Sequence, residues 1–195
     1  MIDHQTEPLG RLYKAVDLFA SCVRKVDTED RAALMSSGLT LDILCLIGGQ
    51  LSEDREHRIY IVYPLGNWVE IREGTPYQII GIGGYGKPIL DRTFKFDDPT
   101  RYALKVGYLA LDSTRISSSD VGPPVDVLPY GKDSFWVVHH RYAASEVGGV
   151  SAWWDGRLRQ AVEELPSDWL DQAMGKLAAG DSAELRRAQA AQSQQ

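Results

Sequence analysis

Leu41-Asp42-Ile43-Leu44-Cys45-Leu46-Ile47-Gly48-Gly49, Arg58-Ile59-Tyr60-Ile61-Val62-Tyr63 and Trp68-Val69-Glu70-Ile71 are the runs between residues 41 and 71 that decide the fold class. The first is almost continuously apolar and closes on a glycine pair, which suits a strand buried on both faces. The second alternates and is rich in β-branched residues, as strands are. The third is a shorter run of the same kind. Charged residues 52–57 and the turn signal Pro64-Leu65-Gly66-Asn67 separate them. Gly74-Thr75-Pro76 then leads to a fourth run, Tyr77 to Ile82. Such short connections predict an antiparallel meander.

Working outward, residues 7–35 read as a helix. Leu9, Leu12, Tyr13, Val16, Phe19, Ala20, Val23 and Val26 recur at steps of three and four, and Gly38 offers a stop. Beyond the strands, Ile89 to Phe94 reads as a short helix with Pro88 in its first turn. Asp97-Asp98-Pro99-Thr100 opens a second helix over 100–118, whose Ala103, Val106, Gly107, Ala110 and Thr114 make a small-residue face. Gly122-Pro123-Pro124 ends it. Val125–Tyr130 and Phe135–His140 read as two strands joined by Gly131-Lys132-Asp133. Trp153, Trp154, Leu158, Ala161, Val162 and Leu165 mark a last amphipathic helix. From Gly180 the chain is rich in Ala, Gln and Ser, so 180–195 reads as a disordered tail. Segregated strands and helices make the class α+β, an antiparallel sheet covered by helices, in one domain over 7–170.

The chain has 195 residues, a one-domain length. A net charge of -6 disfavours a sequence-independent nucleic-acid binder, which needs clustered Lys and Arg. No apolar run reaches the ~18 residues of a membrane span, and the first residues lack the pattern of a signal peptide. The expected setting is therefore cytoplasmic, with no nucleic acid and no membrane as partner. Cys22 and Cys45 have neither CxxC nor metal-ligand spacing and read as buried reduced thiols.

Three clusters carry possible chemistry. Gly81-Ile82-Gly83-Gly84-Tyr85-Gly86-Lys87-Pro88 lacks the spacing of a dinucleotide fingerprint, and no Ser or Thr follows Lys87 as a phosphate loop requires. It reads either as a crowded turn that only glycine can make or as a backbone wall lining a substrate groove, built from Gly81, Gly83 and Gly84. Asp112-Ser113-Thr114 with Ser117, Ser118, Ser119 and Asp120 reads as caps and solvated positions at a helix end, or as a group of which one or two orient a catalytic terminus. His139-His140 are adjacent on a strand, so they point to opposite faces and do not easily share a metal. No metal site and no cofactor are expected.

Three longer stretches carry a resemblance. They are Ile59-Tyr60-Ile61-Val62-Tyr63-Pro64-Leu65-Gly66-Asn67, Tyr85-Gly86-Lys87-Pro88-Ile89-Leu90-Asp91-Arg92, and Leu111-Asp112-Ser113-Thr114 with Val121-Gly122-Pro123-Pro124-Val125-Asp126. Together with Gly48-Gly49-Gln50 and Leu165-Pro166-Ser167-Asp168-Trp169, in this order, they resemble the bacterial proteasome-related peptidases of the ancestral beta subunit, or Anbu, group. The resemblance runs over roughly residues 10 to 170. It implies a four-layer αββα sandwich, here partial, and N-terminal-nucleophile hydrolysis of peptide bonds. In that chemistry a Thr, Ser or Cys is residue one of the mature chain. Its own α-amine, with an ordinary pKa near ~8, is the base, and backbone N–H groups hold the oxyanion.

The sequence departs from the family pattern at its start. The first helix begins almost at once, so the nucleophile segment is expected to be missing. Met1 is followed by Ile2, and Thr6 by Glu7-Pro8 rather than by an apolar strand. Gly81 and Gly83 stand where proteasome-type subunits place a hydroxyl. Ser117 and Asp120 stand where the family has an Asp and a Ser, in exchanged order, and the resemblance makes them supports of the catalytic terminus. The expected function is that of a proteasome-like peptidase acting on peptides or unfolded protein. The alternative is a truncated, inactive structural subunit in a homo- or hetero-oligomer. An unrelated α+β binding module is a third reading. Both family readings of the truncation require an open sheet edge beside the 41–49 run.

Overall fold

A computed structural model describes residues 9–72 and 74–179. They fall into two compact units that divide between Val147 and Gly148, each described by itself below. In the first, helix α1 (Leu12–Ser36) packs on an antiparallel sheet of β1 (Cys45–Gly49), β2 (Arg58–Val62) and β3 (Trp68–Ile71), in the order β1-β2-β3. Then come α2 (Lys87–Thr93), α3 (Thr100–Ser117) and an antiparallel pair, β4 (Val125–Val127) with β5 (His140–Tyr142). The α+β class read from the sequence is what forms.

Helix α1 buries Leu12, Val16, Ala20 and Val23, at steps of four, four and three. Tyr13 and Val26 stay exposed, so the stripe is narrower than the sequence pattern. Leu12, Val16 and Ala20 form one core with Tyr60 and Val62 of β2. Leu12, Val16 and Val62 each contribute ~1.5–3 kcal/mol by leaving water, and the Ala20 methyl less. Trp68 meets Tyr60 edge to face at 5.2 Å, and its indole N–H donates to Asp17 Oδ1 at 2.8 Å. The helix stops where expected: Gly38 takes φ +70, and the Gly38 and Leu39 amides return to Met35 and Leu34 carbonyls. Its start is capped from elsewhere. The Asp54 carboxylate accepts from the Leu12 N–H at 2.9 Å and from the Leu51 N–H at 3.0 Å.

Three strand expectations need correcting. The run from Leu41 gives a strand only from Cys45, and β1 is half-buried rather than buried on both faces. It is an edge strand: it pairs with β2, and no strand among the described residues pairs with its other side. The fourth strand of the meander does not form. Tyr77 and Ile79 turn inward against Leu90, Val106 and Ala110, while Gln78 and Ile80 are exposed. The segment keeps the alternation of a strand, but its inward side chains are claimed by α2 and α3 and it makes no ladder. The hairpin after α3 is ladder-paired only at 125–127 with 140–142, with one isolated bridge between Tyr130 and Val137. Pro129, which has no N–H, and the left-handed residues Asp133 (φ 57) and Phe135 (φ 49) interrupt regular pairing between them.

The tip of that hairpin is tied to the end of β1. Gln50, 6% exposed, donates through Nε2 to Asp133 Oδ1 at 2.8 Å and accepts the Asp133 N–H through Oε1 at 3.0 Å. At its base, Arg141 donates to both Asp126 oxygens, at 2.8 and 2.7 Å, and His139 Nε2 lies 2.7 Å from Asp126 Oδ1.

Helix α4 (Ala144–Glu163) begins in the first unit and continues in the second. It starts nine residues before the Trp153 of the expected pattern, 144 against 153, because Glu146 accepts the Ala143 N–H at 2.8 Å and so caps it. Within the second unit, residues 168–179 are also helical, and the Trp169 indole donates to the Pro166 carbonyl at 2.9 Å. The expected tail at 180–195, and Thr6, lie outside the described residues. No helix among the described residues is long and apolar enough to cross a membrane. Both thiols are free but neither is buried: Cys22 is exposed and Cys45 is half-buried on the sheet edge.

Two outcomes follow for stability. A Cβ at Gly86 would lie 2.6 Å from the Ala110 carbonyl oxygen, whereas one at Gly84 would meet nothing within 4 Å. Gly86→Ala is expected to destabilise by about 1–3 kcal/mol and Gly84→Ala to change little, read from urea midpoints. Hydrogen bonds from Arg141 and then His139 hold the Asp126 carboxyl well below the usual carboxylate range. A depressed carboxyl stabilises fully above its ordinary value of ~4 and loses that contribution as pH falls further. The wild-type advantage over Asp126→Asn in urea titrations should therefore hold at neutral pH and shrink below pH ~4. An advantage that grows on acidification would exclude this clamp.

Candidate functional site

The glycine turn is built from unlike positions. Gly81 takes φ +82, which favours glycine, and a Cβ there would meet nothing. Gly83 is tight, its ideal Cβ falling 3.1 Å from Ile79 Cγ2. Gly84 faces open space, and Gly86 seats α2 against the α3 backbone. Crowding therefore accounts for Gly86 and in part for Gly83, backbone conformation accounts for Gly81, and neither accounts for Gly84.

Beside this turn is a polar cluster that the sequence reading missed. Lys87 Nζ donates to Asp91 Oδ1 and to the Tyr77 hydroxyl, both at 2.8 Å, and the Tyr77 hydroxyl also bonds Asp91. The Asp91 bond, then the Tyr77 bond, push the Lys87 pKa up to about 12. Lys87 is thus a fixed cation at neutral pH and not a base. The four-residue spacing of Lys87 and Asp91 on a helix was legible; the approach of Tyr77, ten positions earlier, was not.

At the other end of α3, Ser117 is the last helical residue and Asp120 follows in the next turn. Both are exposed, and neither makes a side-chain hydrogen bond among the described residues. The remaining members of that cluster separate. Ser113 and Thr114 donate back to the Leu109 and Ala110 carbonyls of their own helix, at 2.8 and 2.9 Å. This corrects their reading as caps or solvated positions: α3 continues past them, and Thr114 is buried. Asp112 is 2% exposed and takes Arg115 Nη2 at 2.8 Å and Nε at 3.1 Å.

Asp112 and Arg115 line a cavity of about 230 Å³ with Leu111, Pro123, Pro124 and Val125 among its other walls. The Tyr108 hydroxyl at its side donates to the Val147 carbonyl at 3.1 Å. Ser117, Asp120, Gly81, Gly83 and Gly84 do not line it. The two histidines have separate partners, His139 with Asp126 and His140 with the Tyr142 ring at 4.3 Å. No group of three His, Cys, Asp or Glu that could hold a metal occurs among the described residues.

No protein-family model matches the chain, and a comparison with curated proteins finds no match. Solved structures do. The chain is similar to Anbu (ancestral beta-subunit) from Yersinia bercovieri, with 32% identity and TM-score 0.75, over 85% of this chain and 70% of that one. It is similar to the Anbu protein of Pseudomonas aeruginosa, solved as a helical assembly, with 31% identity and TM-score 0.78 over the same shares, 85% and 70%. It is similar to an Anbu (Gly-1) mutant from Hyphomicrobium sp. strain MC1, with 31% identity and TM-score 0.71; there it covers 80% of its own length and 65% of the other's, so it spans less than two thirds of that relative. Motifs quoted in order from the sequence, an α+β fold of antiparallel sheets and helices, and identity above 30% over most of both chains agree: the chain belongs to the Anbu (ancestral beta-subunit) family of proteasome-like proteins.

Proposed function

We propose that the chain is a subunit of a proteasome-like oligomeric peptidase that hydrolyses peptide bonds of peptides or unfolded protein in the cytoplasm. The observation that carries this reading is the similarity to Anbu proteins, one of them a helical assembly, at 31% identity over 85% of the chain. In this reading the α1-backed sheet is one half of a four-layer αββα sandwich, and 7–170 is one proteasome-subunit-like domain. A Thr, Ser or Cys at a mature amino terminus attacks the peptide carbonyl, and its α-amine takes the proton. No described residue is assigned that part. Ser117 and Asp120 support the terminus from the end of α3, and the backbone of Gly81, Gly83 and Gly84 forms a wall of the substrate groove. The exposure of Ser117 and Asp120, with no hydrogen-bond partner among the described residues, and the open space at Gly84 favour these roles.

A second reading, an inactive structural subunit paired with an active homologue, shares with the first the open outer side of β1, which no strand among the described residues pairs. Intact mass and amino-terminal sequencing of the protein from its native source separate the two. A larger mass with Thr, Ser or Cys leading is the expected result for the peptidase. A mass equal to that of these 195 residues favours the structural subunit. In a chain that carries the nucleophile, Ser117→Ala should lower kcat for a peptide substrate about tenfold or more while the urea midpoint stays put; unchanged turnover removes Ser117 from the site.

A further inference from the structure

Lys87 holds the glycine turn at two points. Its backbone N–H donates to the Gly83 carbonyl at 3.0 Å, inside the turn. Its Nζ donates at 2.8 Å to the hydroxyl of Tyr77, a residue that precedes the turn, and stands 5.3 Å from the centre of the Tyr77 ring, within cation–π range. Asp91, one helical turn further along α2, closes the group: it accepts from Nζ at 2.8 Å and from the Tyr77 hydroxyl. The Tyr77 ring also packs, with Ile79, on the cluster of Leu90, Val106 and Ala110. Ile79 backs Gly83, and Gly86 rests on the Ala110 carbonyl. The limb that enters the turn is thus fastened to α2 by its hydroxyl and to α2 and α3 by apolar contact. The charges that hold it are in place at neutral pH. The bonds from Lys87 and then Tyr77 keep Asp91 below the usual carboxylate range, while those to Asp91 and Tyr77 keep Lys87 above the usual lysine range.

Fastening of this kind meets a particular need. Gly81, Gly83, Gly84 and Gly86 fall within six residues, and glycine loses more conformational freedom on ordering than any other residue. A wall made of such backbone presents its N–H and C=O groups at defined places only if side chains outside it fix the conformation. We propose that Tyr77, Lys87 and Asp91 are positioning residues that hold the Gly81–Gly84 backbone in the conformation that takes the main chain of a peptide substrate. The inference rests on the reading above of that backbone as a wall of the substrate groove, and adds to it the side chains that set the wall.

The test uses a chain that carries the nucleophile and two variants that spare the packing. Tyr77→Phe removes only the hydroxyl, and Lys87→Met removes the charge while the backbone N–H stays. The amide of residue 87 reports on the turn, because it is the one bonded to Gly83. Expected results are a several-fold loss of exchange protection at that amide and a several-fold higher KM for a fluorogenic peptide, with kcat and the urea midpoint unchanged. Lys87→Arg, which keeps donors for both partners, should restore KM. A lower urea midpoint with KM unchanged is the mark of a purely structural role and overturns the inference. Unchanged protection in both variants overturns it too, whether or not the protein cleaves peptides. Lost protection with unchanged KM, in a protein that does cleave peptides, overturns the positioning role and leaves the peptidase reading intact. No turnover by the wild-type chain overturns that reading and the positioning role with it, and the amide of residue 87 then still decides whether the three residues hold the turn.

Discussion

The seating of α1 on one face of β2 is the constraint on which the first unit depends. Val16 and Val62 are the largest side chains almost wholly removed from solvent, and both belong to that contact. Everything around it adapts. The Tyr63–Asn67 turn must pass close enough to α1 that a Cβ at Gly66 would lie 2.6 Å from the Ala20 carbonyl oxygen, and Arg24 reaches across to bond the Gly66 carbonyl. Gly66 also takes φ +69, so both conformation and space call for glycine there. The second cluster, of Leu90, Val106 and Ala110, is separate, and it draws Tyr77 and Ile79 toward α2 and α3.

The parts legible in the sequence are those set by local pattern. The three- and four-residue steps of α1, the β-branched alternation of β2 and the short turns flanking it each state their structure within a few residues. What was not legible depends on competition between distant partners. Residues 77–82 alternate as a strand should, but alternation says only that two faces differ, not which neighbour takes the inner one. The early start of α4 rests on Glu146, whose capping reach is a local signal overlooked beside the louder tryptophans. The half-exposure of β1 could not be read from composition, because an apolar run looks the same whether it is central or at an edge.

The site divides in the same way. Motif order in the sequence identified the family, since it registers many residues at once. The roles of single residues were less visible. Asp112 was grouped with hydroxyl residues by proximity in sequence, yet its carboxylate is buried and paired with the half-exposed Arg115, whereas Ser117 and Asp120 on the same helix end face solvent. A turn of helix is enough to separate interior from surface, and neighbouring letters therefore do not share a function. Lys87 shows the converse, with Tyr77, Lys87 and Asp91 assembled from two segments into one hydrogen-bonded unit.

The capping of α1 bears on the order of assembly. The helix has no acidic residue in its first turn and no side-chain cap from its own Ncap residue, Arg11. Its first amide is satisfied by Asp54, 42 positions later, which at the same time closes the turn after β1. A single carboxylate thus couples two loci that chain diffusion must first bring together. The carboxy end of α1, stopped by its own Gly38, can become ordered early, whereas its amino end has to await closure of a long loop. The two ends of one helix are then expected to gain structure at different times, with propagation running backward along the chain toward Leu12.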